Sequence, residues 1–170
     1  DNYKPKDPSR YRILVGDYGL KYNILRMLES RNCEVIAMPA NTSASQVLEH
    51  DPDGVLLSPG PGDPQLLEYA VDCARGLIGK LPIMGICLGN QILARAFGAQ
   101  TFKLKFGHRG GNHPVKDLKT GKVYITAQNH GYSVDPNSLP PEINVSHINL
   151  NDKTVEGLEH QSMPIMSIQY

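Results

Sequence analysis

The sequence predicts an α/β protein: an open, mostly parallel sheet flanked by helices, continued by a β-rich second half. Two observations predict it. In the first half, short continuous apolar runs alternate with stretches whose apolar residues recur at helical spacing. From about Thr101 the helical spacing disappears, and short strand-like pieces separated by turn clusters take over.

Residues 1–10 are polar and contain Pro5 and Pro8, which reads as an extension or linker before a single domain over residues 11–170. The stretch has the character of neither a signal peptide nor an amphipathic transit helix. Residues 11–17 carry Ile13-Leu14-Val15, and residues 35–38, 55–57 and 83–86 are similar runs. Such runs suit strands buried on both faces of a parallel sheet. Between them lie three helix candidates. Residues 22–31 offer Ile24, Leu25 and Leu28. Residues 66–78 place Leu66, Leu67, Ala70, Val71, Ala74, Leu77 and Ile78 on one stripe. Residues 90–97 group Ile92, Leu93, Ala96 and Phe97, with Gly98 as a stop. This order implies right-handed crossovers and a ligand site beyond the carboxyl ends of the strands. In the second half, the Gly- and His-rich residues 107–114 read as a loop packed against the turn at residue 87. Strands are expected at 123–127, 144–148, 155–159 and 165–168, with turns at 135–137 and 149–152. They would add to the sheet or cap one edge.

Composition narrows the function. The 170 residues suffice for one domain with a sizeable core. Lys plus Arg and Asp plus Glu both number 17, so the formal net charge is zero. That argues against nucleic-acid binding through bulk charge and against a polybasic membrane surface. No apolar run approaches the ~18 residues of a membrane-spanning helix. Three cysteines with no CxxC pair argue against a disulfide framework or zinc ribbon, and for a reducing compartment such as the cytoplasm.

Three segments carry chemistry. Gly85-Ile86-Cys87-Leu88-Gly89 joins a strand to a helix, the arrangement of a nucleophile elbow with Cys in place of Ser. A cysteine there stands at a helix N-terminus, where the dipole and free N–H groups favour thiolate, and the Leu88 N–H points where an oxyanion would form. A buried structural cysteine is the other reading of Cys87, and it is the reading of Cys33 and Cys73. Ser58-Pro59-Gly60-Pro61-Gly62-Asp63-Pro64 follows a strand and matches neither a Walker loop nor a dinucleotide fingerprint. Gly60 and Gly62 could donate N–H groups to a ligand, or the segment could be an ordinary strand-to-helix turn. Gln128-Asn129-His130-Gly131-Tyr132 could recognise amino-acid amino and carboxylate groups, or form a hydrogen-bonded hairpin. His108 and His113 fit no zinc spacing, and no metal site is expected. His50, His147 and His160 read as surface or internally bonded histidines.

Together these segments resemble the class I (triad) glutamine amidotransferase family, over residues 11–170, and within it the carbamoyl phosphate synthetase branch. Residues 85–91 (GICLGNQ) look like the family's elbow, and residues 106–115 (FGHRGGNHPV) with 128–132 (QNHGY) look like that branch. The resemblance implies a flavodoxin-like open sheet and hydrolysis of L-glutamine. It implies Cys87 as nucleophile, Gly60 and Leu88 as oxyanion N–H donors, and Gly62, Gln91, Asn129, Gly131 and Tyr132 as substrate contacts. It implies ammonia delivery to a large synthetase subunit or fused domain that carries ATP and Mg, with no cofactor in this chain. Asn90 stands where the family usually has His, and Pro59 where the branch usually has Asn. The family's catalytic His and Glu lie in a His-Pro-Glu motif directly after a strand of the type found at residues 167–170, so the expected His would follow Tyr170. The sequence alone is therefore expected to be inactive or very weak, with His130 as the one substitute base, and to expose an apolar patch. Two other readings are a non-catalytic glutamine- or partner-binding module and the glutaminase subunit of an anthranilate-type synthase. Pro59 supports the latter, and residues 106–115 and 128–132 oppose it.

Overall fold

The computed structural model describes residues 2–3 and 10–170. Of the expected N-terminal extension, only Asn2, Tyr3 and Arg10 fall within that range; the rest lies outside the described residues. Asn2–Tyr3 (β1) is a short strand antiparallel to Cys33–Pro39 (β3).

The apolar runs of the first half become strands Tyr11–Asp17 (β2), β3, Gly54–Leu57 (β4) and Ile83–Ile86 (β5). Each pairs in parallel with its sheet neighbour: β3 with β2, β2 with β4, β4 with β5. Ile165–Ile168 (β10) joins β5, also in parallel. Beyond β10 the same sheet continues antiparallel through Val155–His160 (β9), Ile143–Asn149 (β8), Thr101–Asp117 (β6) and Val123–Val134 (β7). The β-rich half thus extends the sheet rather than capping it, and the described sheet has ten strands, half of it parallel in character and half antiparallel.

Successive strand residues point to opposite faces, and the core follows that alternation. Leu14, Val55 and Leu57 pack on one face with Glu68–Leu77 (α3), Leu88–Ala96 (α4) and Ala44–Leu48 (α2). Val15, Val35 and Leu56 pack on the other with Tyr22–Glu29 (α1). This two-sided burial is why those strands read as unbroken apolar runs. A third cluster, Ala94, Ala99, Val134, Ile143, Val155 and Leu158, ties α4 to the antiparallel half.

Several elements differ from the sequence expectation. Helix α3 begins at Glu68, because Pro64 leads a 3-10 turn, Pro64–Leu66, capped by Asp63. Helix α2 was not anticipated. A capping box holds it: the Ser43 side chain accepts from the Gln46 N–H, and the Gln46 side chain accepts from the Ser43 N–H. The Ser-x-x-Gln spacing was the available signal.

The largest correction concerns residues 107–114 and 128–132. Neither is a loop or a turn; both lie inside strands, β6 and β7, of one long hairpin. Register shifts fall between Lys103 and His108 and between Gly110 and His113, and Gly107 (φ 70°) and Gly110 (φ 117°) supply left-handed backbone there. Bulges of this kind break the period-two pattern that marks a strand in sequence. Exposed apolar side chains lie on this hairpin, among them Phe106 and Ile125, and Met166 on β10 is half exposed. No helix among the described residues is long and apolar enough to cross a membrane.

Candidate functional site

Strand β4 adds on the opposite side of β2 from β3, so the sheet order reverses between β2 and β4. A crevice therefore opens beyond the carboxyl ends of β2, β4 and β5. The segments that follow these strands meet there. The Ser58 hydroxyl accepts from the Tyr18 N–H at 2.9 Å, and the Ser58 N–H donates to the Gly16 carbonyl at 3.2 Å. Gly60 is pressed so close to β2's following turn that a Cβ there would lie 2.2 Å from the Tyr18 carbonyl oxygen and 2.8 Å from Leu88 Cδ2.

Cys87 is the junction between β5 and α4. Its φ of 54° and ψ of −105° are rare for a side-chain-bearing residue and mark a strained turn. The surroundings hold it there. The Cys87 N–H donates to the Ile168 carbonyl at 2.8 Å, and the Cys87 carbonyl accepts from Asn90 and Gln91 N–H at 3.1 and 3.3 Å. A Cβ on Gly89 would lie 2.1 Å from the Leu57 carbonyl oxygen, so only glycine lets α4 approach β4 this closely.

Cys87 is half-buried, and the backbone N–H groups of Leu88 and Gly60 lie near enough to its sulfur to favour negative charge there. Burial pushes the Cys87 thiol up. Those N–H groups and the Lys21 charge pull it back in part, and the Glu156 carboxylate adds to the rise, leaving it above an ordinary thiol. The thiolate is therefore scarce in this environment.

The remaining expected site residues are distributed around this point. Gly62 (φ 106°) has open space where a side chain would be. Gln91 is buried on α4, and its Nε2 donates to the Tyr132 carbonyl at 2.9 Å and to Gln169 Oε1 at 3.1 Å. Only its Oε1 is left for a ligand. Burial, and then the Asp63 carboxylate in the segment after β4, push the Tyr132 hydroxyl's pKa up, which sets this β7 side chain beside the crevice. Gly131 is half-buried on β7, and Asn129 is exposed there, opposite Arg109 in register.

Asn90 turns inward and is fully buried. Its Nδ2 donates to Gln169 Oε1 at 3.0 Å and its Oδ1 accepts from the Ser167 hydroxyl at 2.8 Å, so it fastens α4 to the β10 segment. Cys33 and Cys73 are buried in the two faces of the core, as structural cysteines.

His130 is not placed as a base for Cys87. Its Nδ1 donates to the Tyr132 carbonyl at 2.8 Å and its Nε2 lies 2.7 Å from the Gln128 amide. Burial drives its pKa down to about 4, so the ring is neutral. It belongs to a buried polar cluster that the sequence reading missed. His108 stands across the hairpin from His130, with Gln128 beside both, and Glu156 of β9 completes the group. One signal could have revealed Glu156: it is the only acid inside the apolar run Val155–Leu158, all four residues of which are buried.

Comparison with known proteins agrees with this geometry. Residues 14–170 match the family model for class I glutamine amidotransferases. The carbamoyl phosphate synthase small chain of Methanocaldococcus jannaschii is 56% identical over 168 residues, covering 99% of this chain and 47% of that protein. That of Akkermansia muciniphila is 55% identical over 167 residues, covering 98% of this chain and 45% of that protein. The chain thus spans about half the length of the curated relatives it matches. A glutamine amidotransferase of Thermotoga maritima has the same fold, with a TM-score of 0.72 at 18% identity over 94% of this chain and 74% of that one. A match over nearly the whole chain, on a sheet that reverses at the crevice where Cys87 stands, places the chain in the class I glutamine amidotransferase family.

Proposed function

We propose that this chain is the glutaminase domain of a carbamoyl phosphate synthetase small subunit, with Cys87 as its nucleophile. The observation that carries the reading is the strained turn that sets Cys87 between β5 and α4, with the Gly60 backbone pressed against Leu88 beside it. The small-chain relatives supply the synthetase branch, and the alternatives of an anthranilate-type subunit and a non-catalytic module have no such support.

In this reading the sulfur attacks the side-chain carbonyl carbon of L-glutamine. A C–S bond forms, and the carbonyl oxygen takes up the negative charge between the two N–H groups. The C–N bond then breaks, and the departing nitrogen takes the thiol's proton and leaves as ammonia. Water adds to the γ-glutamyl thioester, the C–S bond breaks, and glutamate and the free thiol return. Gly62, Gln91, Asn129, Gly131 and Tyr132 are the proposed substrate contacts, Gln91 acting through its free Oε1 and through its hold on the Tyr132 carbonyl.

Proton transfer needs a base, and His130 has both ring nitrogens engaged elsewhere. Strand β10 runs beside the elbow through the Cys87–Ile168 hydrogen bond. A histidine following Tyr170 in the longer protein would therefore be delivered to the same crevice. Ammonia would pass to a large synthetase subunit, where ATP and Mg belong; this chain would need no cofactor.

The test is Cys87→Ser in the full-length protein. Glutamine-dependent ammonia release should fall at least ~10³-fold, while synthesis from supplied ammonium persists. Full glutaminase activity in the variant would overturn the assignment. Calorimetry showing glutamine binding without ammonia release in the unmodified full-length protein would favour a binding module instead.

A further inference from the structure

The buried cluster of His108, His130 and Glu156 has more acceptors than donors. The Nδ1 of His130 faces the Tyr132 carbonyl, so that nitrogen carries the hydrogen, and Nε2 presents its lone pair inward. The Nε2 of His108 lies 2.7 Å from an Asp152 carboxylate oxygen, so it carries a hydrogen, and Nδ1 turns inward. That Nδ1 lies 3.4 Å from Glu156 Oε1. Glu156 is fully buried; its Oε1 accepts from Asn149 Nδ2 at 3.0 Å, and its Oε2 has no partner. The one group at the centre is the Gln128 carbonyl oxygen, 3.0 Å from His108 Nδ1 and 2.7 Å from His130 Nε2, while the Gln128 Nε2 donates to the Thr126 hydroxyl at 3.1 Å. That oxygen is itself an acceptor. Two imidazole lone pairs and a carboxylate face it, so the protein's own donors fall short.

We propose that this cluster binds one divalent transition-metal ion of the zinc class, held by His108 Nδ1, His130 Nε2 and the Glu156 carboxylate, with the Gln128 carbonyl oxygen as fourth donor. The geometry suits it. The three ligand atoms lie within 4.8 Å of one another. The 3.4 Å between His108 Nδ1 and Glu156 Oε1 matches the ~3.4 Å edge of a tetrahedron with metal–ligand bonds of ~2.1 Å. Two imidazoles with oxygen donors favour zinc over calcium or magnesium. The outer shell is already built: Asp152 orients His108, the Tyr132 carbonyl orients His130, and Asn149 orients Glu156. With all three ligand residues at most 8% exposed, the ion is structural. It clips the β6–β7 hairpin to β9, and through the Tyr132 carbonyl and Gln91 it steadies the floor of the crevice. This inference stands on the cluster alone and does not depend on the chemistry assigned to Cys87.

The experiment uses the intact protein, stripped with a chelator and titrated with Co²⁺. One equivalent should bind with the visible absorption of a tetrahedral nitrogen–oxygen site and no thiolate charge-transfer band, and Zn²⁺ should displace it. Asp152→Asn alters an exposed residue outside the core and should weaken Co²⁺ binding about 10–100-fold. Glu156→Gln should weaken it further. Absence of stoichiometric binding in the unmodified protein overturns the proposal. Binding with the same affinity in both variants overturns it as well, as attachment elsewhere on the surface.

Discussion

Gly60→Ala is the sharpest test of the proposed oxyanion site. The new Cβ would stand 2.2 Å from the Tyr18 carbonyl oxygen, whereas real Cβ atoms essentially never come within 3.0 Å, so the loop or its neighbour must yield by about 0.8 Å. The Tyr18 turn cannot easily retreat, because its N–H is bonded to the Ser58 hydroxyl beside it. Leu88 Cδ2, 2.8 Å away, blocks the other direction. Catalytic donors need placement within roughly 0.5 Å, so this displacement takes the Gly60 N–H out of range. Loss of one such donor costs about 10²–10³ in kcat, or ~3–4 kcal/mol of transition-state stabilisation. The assay is glutamine-dependent ammonia release by the full-length protein, with circular dichroism to confirm folding. Gly98→Ala is the matched control. It places a side chain at φ 89° with nothing within 4 Å, and should cost ~1–2 kcal/mol of stability with activity intact. A folded Gly60→Ala variant with kcat within threefold of the parent would refute the assignment of this N–H group.

Other perturbations probe the same framework. Because burial leaves the Cys87 thiol raised despite two N–H donors, and the thiolate is the reactive form, its alkylation rate by iodoacetamide in this chain should keep rising beyond pH ~9; a plateau below pH 7 would contradict that sign. Asn90→Ala strips partners from the Ser167 hydroxyl and the Gln169 side chain, both buried, and should cost ~1–3 kcal/mol in urea unfolding; an unchanged midpoint would show that this link is dispensable. Leu77→Ala empties a fully buried position in the α3–α4 face of the core and should cost ~2–5 kcal/mol, read as a lowered Tm.

The strain at Cys87 and the charge balance around it belong together. The positive φ lifts the side chain out of the strand line toward Gly60, and it is maintained by bonds to Ile168 on one side and to Asn90 and Gln91 on the other. The thiol gains its donors from this turn, yet burial outweighs them. Activation of the sulfur therefore calls for a further group acting on it, which is the role the proposed mechanism gives to a histidine beyond Tyr170.

Much of this was legible in the sequence, for an identifiable reason. Strands β2, β4 and β5 are buried on both faces, so they appear as unbroken apolar runs, and the Gly-x-Cys-x-Gly turn announces itself because only glycine tolerates the 2.1 Å approach at Gly89. These features are local, and local sequence determines them. The hairpin β6–β7 was not legible, because its bulges at Gly107 and Gly110 erase the alternation and made strand look like loop. The short helix α2 rested on a capping box rather than on a periodic stripe. Tertiary structure alone decided the direction of Asn90, which faces β10 rather than the crevice, and the engagement of His130, which removes it as a base. It also decided that His108, His130 and Glu156 meet. They come from the two strands of one hairpin and from β9, and only the folding of one sheet, with burial denying them water, brings their lone pairs to a common point.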